Sequence, residues 1–559
     1  MARRTLSVVL VALFLFGILA GCSGNGGSSE TDTDSNEGKT SETTSAPEKT
    51  ENAGKQEEKP KETIEISMTV LDRGGIPAEL GSYAENAGVD YINEEMAEYG
   101  IQVSVVPVPR NQSYDKMNAM LAAGTAPDIL WEYSRGWCNQ LRVQKVILPV
   151  DDIIEKYSTD YKAYFEANKD LLAPYVTMDD GKMYAFTSLR SANALPTAGV
   201  WYRNDLVEEA GRKAPETLED VIEISKAVKE KHPDIVPIAA SLHYLNIIKG
   251  TYGYFSPEIK EGDTLIHPVF SQNYKDAMEM ARRLYLEKIV DQEYITDTTY
   301  ARQQQLWNSG NALFYFNGAA GSYKELVQTV PGADPLPLPP FKSQYGQFML
   351  TPQSAARFYV KLNADMADDE ERQKACMTYL DWVIREGWKI IAQGKEGEQY
   401  ELNEDGLRVA IPGATPWPYG EFALLTQEQF VFGQSALGET DEKYKYLLDR
   451  NDLGLKQMLS YPIPDGLPYD FSSDAYVEFN TSFKPKWEET EAKMVSDPAY
   501  SVEQGVQDLQ RLYKELGGEE VWKAKNEWYH ANKAALDNFS KGYNAYKDAL
   551  LENSILPEE

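Results

Sequence analysis

The strongest constraint on this chain is an alternation of strand and helix patterns that starts near Thr63. Apolar residues at every second position mark strands, and apolar residues three or four positions apart mark helices. The strand patterns are Ile64 to Val70, Ile101 to Val105 and Ile129 to Trp131, and the helical patterns between them are Val89 to Tyr99 and Ser113 to Leu121. Because such an order folds through right-handed crossovers, it predicts a doubly wound parallel sheet in an α/β protein.

Polar and aromatic residues follow the first and third of these strands. Asp72 and Arg73 come directly after the first strand, and Glu132, Tyr133 and Arg135 follow the third. Ligands of doubly wound sheets lie beyond the carboxyl ends of the strands, so we expect these five residues to contact a ligand. For Asp72 and Arg73 the alternative is a solvated turn with an internal ion pair.

The rest of the chain is long enough for a second lobe. With 559 residues, of which 42% are hydrophobic, the sequence exceeds one ordinary domain and is too apolar to be disordered throughout. Thr217 and Asp220 predict a capped helix that ends at His232. Ala312 to Phe316 has the pattern of a buried strand, and Asn317 at its exit is a further candidate ligand contact. We therefore expect two α/β lobes.

The first residues have the pattern of an export signal. Two arginines precede an apolar run from Leu6 to Ala20, which is too short for a typical membrane span. The run meets Leu19-Ala-Gly-Cys22, which resembles the lipobox of bacterial lipoproteins and so implies cleavage before Cys22 and its diacylation. The alternative is an ordinary secretory signal that ends near a cysteine. From Ser23 to Glu62 no large apolar residue occurs, which predicts a flexible tether.

Composition argues against several classes of function. Lys and Arg number 55 against 87 Asp and Glu, and the net charge of -32 disfavours nucleic acid as a partner. Three cysteines cannot form a disulfide framework, and the four histidines lack metal-binding spacing, so we expect no metal and no cofactor. The 35 tyrosines, 10 tryptophans and 18 phenylalanines favour recognition, because phenol and indole rings are amphipathic contact surfaces.

A set of sequence blocks occurs in a characteristic order after Thr63. The blocks are Leu121-Ala-Ala-Gly-Thr-Ala-Pro-Asp-Ile-Leu130, Gly181-Lys-Met-Tyr-Ala-Phe-Thr187, Val200-Trp-Tyr-Arg-Asn-Asp-Leu206, Pro215-Glu-Thr-Leu-Glu-Asp-Val221 and Ser309-Gly-Asn-Ala-Leu313. In this order, and behind a lipobox-like segment, they resemble the family 1 extracellular solute-binding proteins of ABC importers. The chain length and Gly394-Lys-Glu-Gly-Glu-Gln-Tyr400, followed by a predicted hairpin turn at Asn403-Glu-Asp-Gly406, are similar to the large LplA-like (LipO) branch, which is associated with oligosaccharide uptake.

The resemblance implies a two-lobed, type II periplasmic-binding-protein-like fold whose doubly wound sheets are joined by a hinge. The implied division is a signal peptide at 1–21, the lipidated cysteine and tether at 22–62, lobe I at 63–186 with about 350–395, and lobe II at 187–349 with about 396–559. It also implies a non-catalytic monomer that captures an oligosaccharide in the cleft between the lobes. The implied partners are the transmembrane subunits of an ABC permease and the membrane itself, reached by a lipid anchor on the outer face of a Gram-positive cell.

Further candidate ligand contacts lie outside the first sheet. Arg190 is at the expected first crossing between the lobes, where it either faces the cleft or links the lobes electrostatically. Tyr244 and Tyr252 belong to a tyrosine-rich segment that we predict to be a loop after the strand ending at Ala239, and either contact the ligand or pack on their lobe. Trp417, held by two prolines, either stacks on a sugar or fills a gap between the lobes.

Two other classes of function compete with transport. A secreted glycoside hydrolase needs two carboxylates beside a cleft, and among 87 acidic residues such pairs arise by chance. A peptide-binding surface lipoprotein would also fit the tether and the aromatic content. The net charge works against strongly anionic sugars at long range, although Arg73, Arg135 and Arg190 could bind one carboxylate locally. We therefore expect a neutral or mildly acidic oligosaccharide.

Overall fold

The structure is a computed structural model that describes residues 63 to 552 with internal gaps. The gaps are 75, 179, 242–243, 255–257, 298–299, 319–322, 403–407, 419–421, 428–444, 464–470 and 472. The predicted signal peptide, Cys22, the tether and the hairpin turn near Asn403 lie outside the described residues.

The strands are short except for the first two. They are β1 (Ile64–Asp72), β2 (Ile101–Pro109), β3 (Ile129–Glu132), β4 (Gly199–Arg203), β5 (Val236–Ala239), β6 (Ile259–Glu261), β7 (Thr264–Ile266), β8 (Ala312–Asn317), β9 (Pro335–Leu338), β10 (Tyr359–Leu362), β11 (Tyr400–Leu402) and β12 (Arg408–Ala410).

The helices alternate with the strands in the first half of the chain and dominate its end. They are α1 (Ala87–Ala97), α2 (Ser113–Ala123), α3 (Arg135–Gln144), α4 (Asp151–Tyr157), α5 (Asp160–Ala167), α6 (Lys169–Val176), α7 (Asn204–Glu209), α8 (Leu218–Lys231), α9 (Tyr244–Thr251), α10 (Gln272–Leu286), α11 (Ala301–Asn308), α12 (Lys324–Thr329), α13 (Glu370–Trp382), α14 (Trp388–Gln393), α15 (Lys445–Leu459), α16 (Asp474–Ser496), α17 (Val502–Glu515) and α18 (Gly518–Glu552).

The first lobe contains a four-stranded sheet in the order β10-β3-β1-β2. As predicted, β1 pairs in parallel with β2 and β3, with α1 and α2 as the connections. The fourth strand was not predicted: β10 pairs antiparallel with β3 and reaches this sheet only after the chain has passed through the second lobe. Because β10 runs in the opposite direction, its first residue, Tyr359, pairs with Glu132, the last residue of β3.

The second lobe contains a mixed four-stranded sheet in the order β5-β8-β4-β9. The predicted buried strand is β8, which is parallel to β5 and antiparallel to β4. The predicted capping box of α8 is present, because the Thr217 hydroxyl accepts from the Asp220 N–H and the Asp220 carboxylate accepts from the Thr217 N–H. The helix ends at His232, as the sequence indicates.

The prediction of a tyrosine-rich loop after β5 is wrong for Tyr244–Thr251, because these residues form the helix α9. Tyr244, Ile247, Ile248 and Thr251 are all buried, and their spacing of three and four positions places them on one helix face. That helical period was present in the sequence. The richness in tyrosine pointed to a loop, but these apolar residues gain more from facing the core.

Two antiparallel crossing segments, 186–197 and 351–360, connect the lobes. Bridges join Phe186 to Val360, Leu189 to Ala356 and Pro196 to Pro352 along them. In addition, the Gln353 N–H donates to the Leu195 carbonyl at 2.9 Å. The two segments are therefore paired in opposite directions along most of their length.

The long helix α18 contacts both lobes. Near its start, the Asn526 amide pairs with both backbone groups of Leu265 at 2.8 Å. Near its end, the Tyr543 hydroxyl donates to the Gln353 carbonyl at 2.7 Å and the Tyr546 hydroxyl donates to the Arg190 carbonyl at 2.6 Å. The helix therefore joins a strand of the second lobe to both crossing segments.

Two features are absent from the described residues. None of the helices in this part of the chain is long and apolar enough to cross a membrane. Nor do three or more His, Cys, Asp or Glu side chains come together there in a way that could hold a metal ion.

Candidate ligand-binding site

Four chain segments meet at the carboxyl edge of the first sheet. β1, β2 and β3 end there, and β10 begins there because it runs antiparallel to β3. The side chains at this edge, which we call the edge cluster, are Asp72, Arg73, Arg110, Glu132, Tyr133, Arg357 and Phe358. The strand-end rule thus brings together four of the predicted contacts, Asp72, Arg73, Glu132 and Tyr133.

The edge cluster is built on an aromatic base. Trp131 is fully buried, and its ring centroid lies 4.4 Å from that of Phe358, which is also buried. Tyr133 packs edge-on against both, at 5.8 Å from Trp131 and 5.0 Å from Phe358, but remains partly exposed. Tyr133 is therefore the ring of this group that can contact a ligand.

Three guanidinium groups surround these rings. The guanidinium carbon of Arg110 lies 5.2 Å from the Tyr133 ring centroid, and that of Arg73 lies 6.0 Å from it. Arg73 also donates from Nη2 to the Tyr133 hydroxyl at 3.0 Å. The guanidinium carbon of Arg357 lies 4.5 Å from the Phe358 centroid. In a protein with a net charge of -32, this edge is locally basic.

Glu132 lies inside the cluster rather than on its surface. Its carboxylate has no exposed area and accepts hydrogen bonds from Arg110 Nη1 at 3.0 Å, from the Ser113 hydroxyl at 2.9 Å and from the Tyr114 hydroxyl at 3.1 Å. Burial and the nearby Glu132 charge raise the pKa of Tyr114 to about 12. We therefore propose that Glu132 positions Arg110, and does not contact the ligand as the sequence suggested.

The surroundings of Asp72 and Arg73 partly match the alternative prediction, which was a solvated turn. The Asp72 carboxylate accepts from the Gly74 N–H at 2.8 Å, which is a local turn contact, and its side chain is partly exposed. The Arg73 N–H donates to the Tyr83 hydroxyl at 3.1 Å, which holds the backbone of this turn against the lobe. Both side chains remain accessible to a ligand at the cluster.

The other two predicted arginines bind backbone carbonyls. Arg135 donates to the carbonyls of Tyr175 at 3.1 Å and Thr177 at 3.0 Å. Arg190 donates to the carbonyls of Ser354 at 3.0 Å and Ala356 at 3.1 Å, and so ties one crossing segment to the other. Burial lowers the pKa of Arg190. The alternative given for Arg190, a link between the lobes, agrees with these bonds.

The predicted ligand contacts from the second lobe differ in how far their side chains are exposed. Tyr244 is fully buried, with its ring centroid 5.0 Å from that of Tyr294, so it presents no face to a ligand. Tyr252 is partly exposed, and its ring lies 6.0 Å from that of Tyr345. Asn317, at the end of β8, is also partly exposed and donates to the Tyr315 hydroxyl at 2.7 Å. Tyr252 and Asn317 remain candidates.

Trp417 lies at a separate cavity of about 280 Å³ against α1. Its indole N–H donates to the Ile391 carbonyl at 3.1 Å, and its ring centroid is 6.5 Å from that of Tyr91. Lys395 lies over the Tyr91 ring at 5.5 Å. Phe422, a few residues later, packs against Tyr83 at 6.5 Å. We propose that the segment around Trp417 belongs with the first lobe, although the sequence division placed it in the second.

Sequence reasoning missed three members of the edge cluster. Arg110 follows the end of β2, so the same strand-end rule that selected Asp72 would have found it. Arg357 and Phe358 could not be found this way, because β10 is antiparallel and no local pattern shows which sheet it joins. Only the pairing of β10 with β3 shows that these two residues lie at this edge.

The protein has the fold of the two-domain solute-binding proteins. It has two α/β lobes, paired crossing segments between them, and aromatic and basic side chains at a sheet edge. The chain belongs to the bacterial extracellular solute-binding protein family, whose pattern matches residues 74–389. The family resemblance inferred from the sequence is thereby confirmed.

Named relatives agree with this assignment. The chain is 21% identical to lipoprotein LipO of Bacillus subtilis (strain 168) over 456 residues, which covers 78% of this chain and 87% of LipO. It is 24% identical to the polygalacturonan/rhamnogalacturonan-binding protein YtcQ of the same organism over 434 residues, covering 72% and 75%. Among solved structures, the ABC-transporter substrate-binding protein FusA of S. pneumoniae in complex with kestose aligns with a TM-score of 0.63 at 15% identity, covering 84% of this chain and 99% of FusA. The last similarity concerns the fold.

Proposed function

We propose that this protein captures an oligosaccharide between its lobes and delivers it to the transmembrane subunits of an ABC importer, without catalysing a reaction. The observation that carries the proposal is the partly exposed Tyr133 ring between the guanidinium groups of Arg73 and Arg110. A sugar offers C–H faces that pack on aromatic rings and hydroxyls that accept from planar donors. The edge cluster supplies both kinds of group in one place.

The names of the relatives support a carbohydrate ligand. YtcQ is named for binding polygalacturonan and rhamnogalacturonan, and FusA was crystallised with kestose. Galacturonan carries carboxylates and kestose does not, so the class of sugar has to be inferred from this chain's own residues.

A calorimetric panel tests the proposal. Xylo-, gluco-, manno- and galacturono-oligosaccharides are titrated into the protein beside a mixture of short peptides, and at least one oligosaccharide is expected to saturate it. Tight, saturable binding of a peptide would instead support a peptide-binding lipoprotein. Mass analysis of each sugar after incubation separates a binder from a glycoside hydrolase, because only a hydrolase shortens it.

Replacing Tyr133 by alanine is expected to weaken binding of that oligosaccharide by about 1 to 3 kcal/mol, the usual cost of losing a packed aromatic contact and its hydrogen bond. The fold should persist, since the ring is partly exposed at the sheet edge. The measurement is calorimetric affinity, with the melting temperature followed in parallel.

Tyr99→Ala is the matched control for this prediction. Tyr99 is 41% exposed and lies beyond the end of α1, at the edge of the sheet opposite to the cluster. Its removal should leave the affinity unchanged. Equal affinities of wild type and Tyr133→Ala would mean that the ligand lies elsewhere.

We propose that ligand binding closes the lobes, with Tyr252 and Asn317 as candidate contacts from the second lobe. Closure is favoured only by contacts made to both lobes at once. Small-angle scattering should therefore show a smaller radius of gyration when the saturating oligosaccharide is added. An unchanged scattering curve at full occupancy would contradict closure.

We propose further that Cys22 is diacylated and holds the protein on the outer face of the cell membrane as a monomer. The lipobox-like Leu19-Ala-Gly-Cys22 and the name of the relative LipO support this. Because stable anchoring needs more than one acyl chain, loss of the cysteine should release the protein. We expect Cys22→Ala in the culture medium after fractionation and immunoblotting. Retention of this variant in the membrane fraction would argue against a lipid anchor.

A further inference from the structure

We infer that the sugar captured at the edge cluster carries a carboxylate, and that Arg110 is the residue that selects it. This inference rests on the proposed function and adds the chemical class of the ligand. It narrows the expectation of a neutral or mildly acidic sugar to the acidic case. It also replaces Arg135 and Arg190, which bind backbone carbonyls, with a residue at the exposed edge.

Arg110 is held in one orientation with part of its guanidinium group exposed. Its Nη1 donates to Glu132 at 3.0 Å and lies 3.5 Å from the Ser113 hydroxyl, so one side of the fork is fixed by buried partners. The side chain keeps 34% of its surface exposed. Within the described residues, its Nε and Nη2 make no hydrogen bond. A guanidinium group that is already oriented loses little entropy when it takes a carboxylate in two-point contact.

The same guanidinium group lies beside the ring that would hold the sugar. Its carbon is 5.2 Å from the Tyr133 centroid. A uronic acid presents a C–H face and, at the ring edge, a planar carboxylate a few ångströms away. Stacking on Tyr133 would therefore bring that carboxylate within reach of Arg110, whereas a neutral sugar would offer only a hydroxyl there.

The surrounding charges favour an anion. The guanidinium carbon of Arg73 lies 6.0 Å from the Tyr133 centroid, and that of Arg357 lies 4.5 Å from the Phe358 centroid. Their positive charges act on an incoming group whatever other contacts they make. Of the named residues, Glu132 and Asp72 carry the opposing charges. The three arginines of the edge cluster, Arg73, Arg110 and Arg357, therefore outnumber its two carboxylates, and a ligand carboxylate would neutralise the excess charge.

The test uses pairs of sugars that have the same backbone, with and without a free carboxylate. Galacturono-oligosaccharides and their methyl esters of the same length are titrated into the intact protein by calorimetry, with a second pair of xylo-oligosaccharides with and without a glucuronate substituent. In at least one pair, the acid is expected to bind about tenfold or more tighter than its neutral counterpart, the factor that one charge-assisted contact supplies.

Three variants assign the preference to Arg110. In Arg110→Gln the ratio of acid to neutral affinity should fall close to one, because the acid loses a charge-assisted contact and the neutral sugar loses only a weaker hydroxyl contact. Arg110→Lys keeps the charge but loses the fork, and should give an intermediate ratio. Lys523→Gln removes one positive charge from an exposed position on α18 and should leave the ratio unchanged. Melting temperatures identify any variant that fails to fold, and Arg110→Lys then serves in its place.

Three results would overturn the inference. Equal affinity of the wild-type protein for acid and neutral sugars would contradict a carboxylate-bearing ligand but would leave the proposed function standing. An acid preference that survives both Arg110 variants, or an equal loss for acid and neutral sugars, would remove the role of Arg110. Binding of no acidic and no neutral oligosaccharide would overturn both this inference and the proposed function.

Discussion

Replacing Tyr244 by alanine is expected to lower the free energy of unfolding by about 3 to 5 kcal/mol, the cost of deleting a large buried ring. Tyr244 has no exposed surface, and its ring lies 5.0 Å from Tyr294 and 6.2 Å from Phe316 between α9 and the second sheet. Burial raises the pKa of Tyr244 well above its ordinary value. Denaturant unfolding of the variant and of wild type measures the difference.

Tyr244→Phe is the matched control. The hydroxyl makes one long contact of 3.5 Å to the Ala281 carbonyl, so its removal should cost less than about 1 kcal/mol. Sugar affinity at temperatures where both variants are folded should equal that of wild type. A loss of affinity in Tyr244→Ala without a loss of stability would return Tyr244 to the binding site, where the sequence placed it.

Replacing Lys525 by alanine is expected to destabilise the protein by about 3 to 5 kcal/mol, because it leaves a buried carboxylate without its cation. The Lys525 ammonium donates to Glu258 at 2.7 Å, and neither side chain has any exposed surface. The ammonium also lies 4.6 Å from the centroid of the Tyr476 ring. These contacts tie α18 to the second lobe, so thermal and chemical unfolding should both show the loss.

Lys533 provides the comparison on the same helix. It pairs with Asp263, and both side chains are exposed, at 42% and 61% of their surface. Lys533→Ala should cost less than about 1 kcal/mol, since exposed ion pairs gain little over hydration. Replacing Lys525 by Met together with Glu258 by Leu should recover much of the stability lost in Lys525→Ala. Similar losses in Lys525→Ala and Lys533→Ala would show that burial does not govern this pair.

Much of the first lobe could be predicted from local patterns. β1, α1 and β2 follow their apolar periods closely, and α2 ends at Gly124, whose φ of 65° is the left-handed conformation that glycine adopts most easily. The strand ends at Asp72 and Glu132 also followed from the sequence. The carboxyl edge of the first sheet, where we propose that the ligand binds, therefore follows from local patterns alone.

The roles of individual side chains at that edge followed from three-dimensional packing. Glu132 and Tyr133 are adjacent in sequence, but alternation along a strand points them in different directions, and only Tyr133 stays exposed. Arg135 and Arg190 carry the same charge as Arg110, yet they donate to backbone carbonyls of neighbouring segments. Sequence shows that a charged residue is near a site, whereas its partner depends on segments far away in the chain.

The sequence by itself determined the periodic elements, the capped helix α8, the strand ends at the carboxyl edge of the first sheet and the family, because these depend on residues close together in the chain. The tertiary structure decided that β10 completes the first sheet in the antiparallel direction, that Tyr244 faces the core, and that α18 joins the second lobe to both crossing segments. It also decided which arginines meet at Tyr133. These outcomes depend on packing and on backbone hydrogen bonds between distant segments, which no local period encodes.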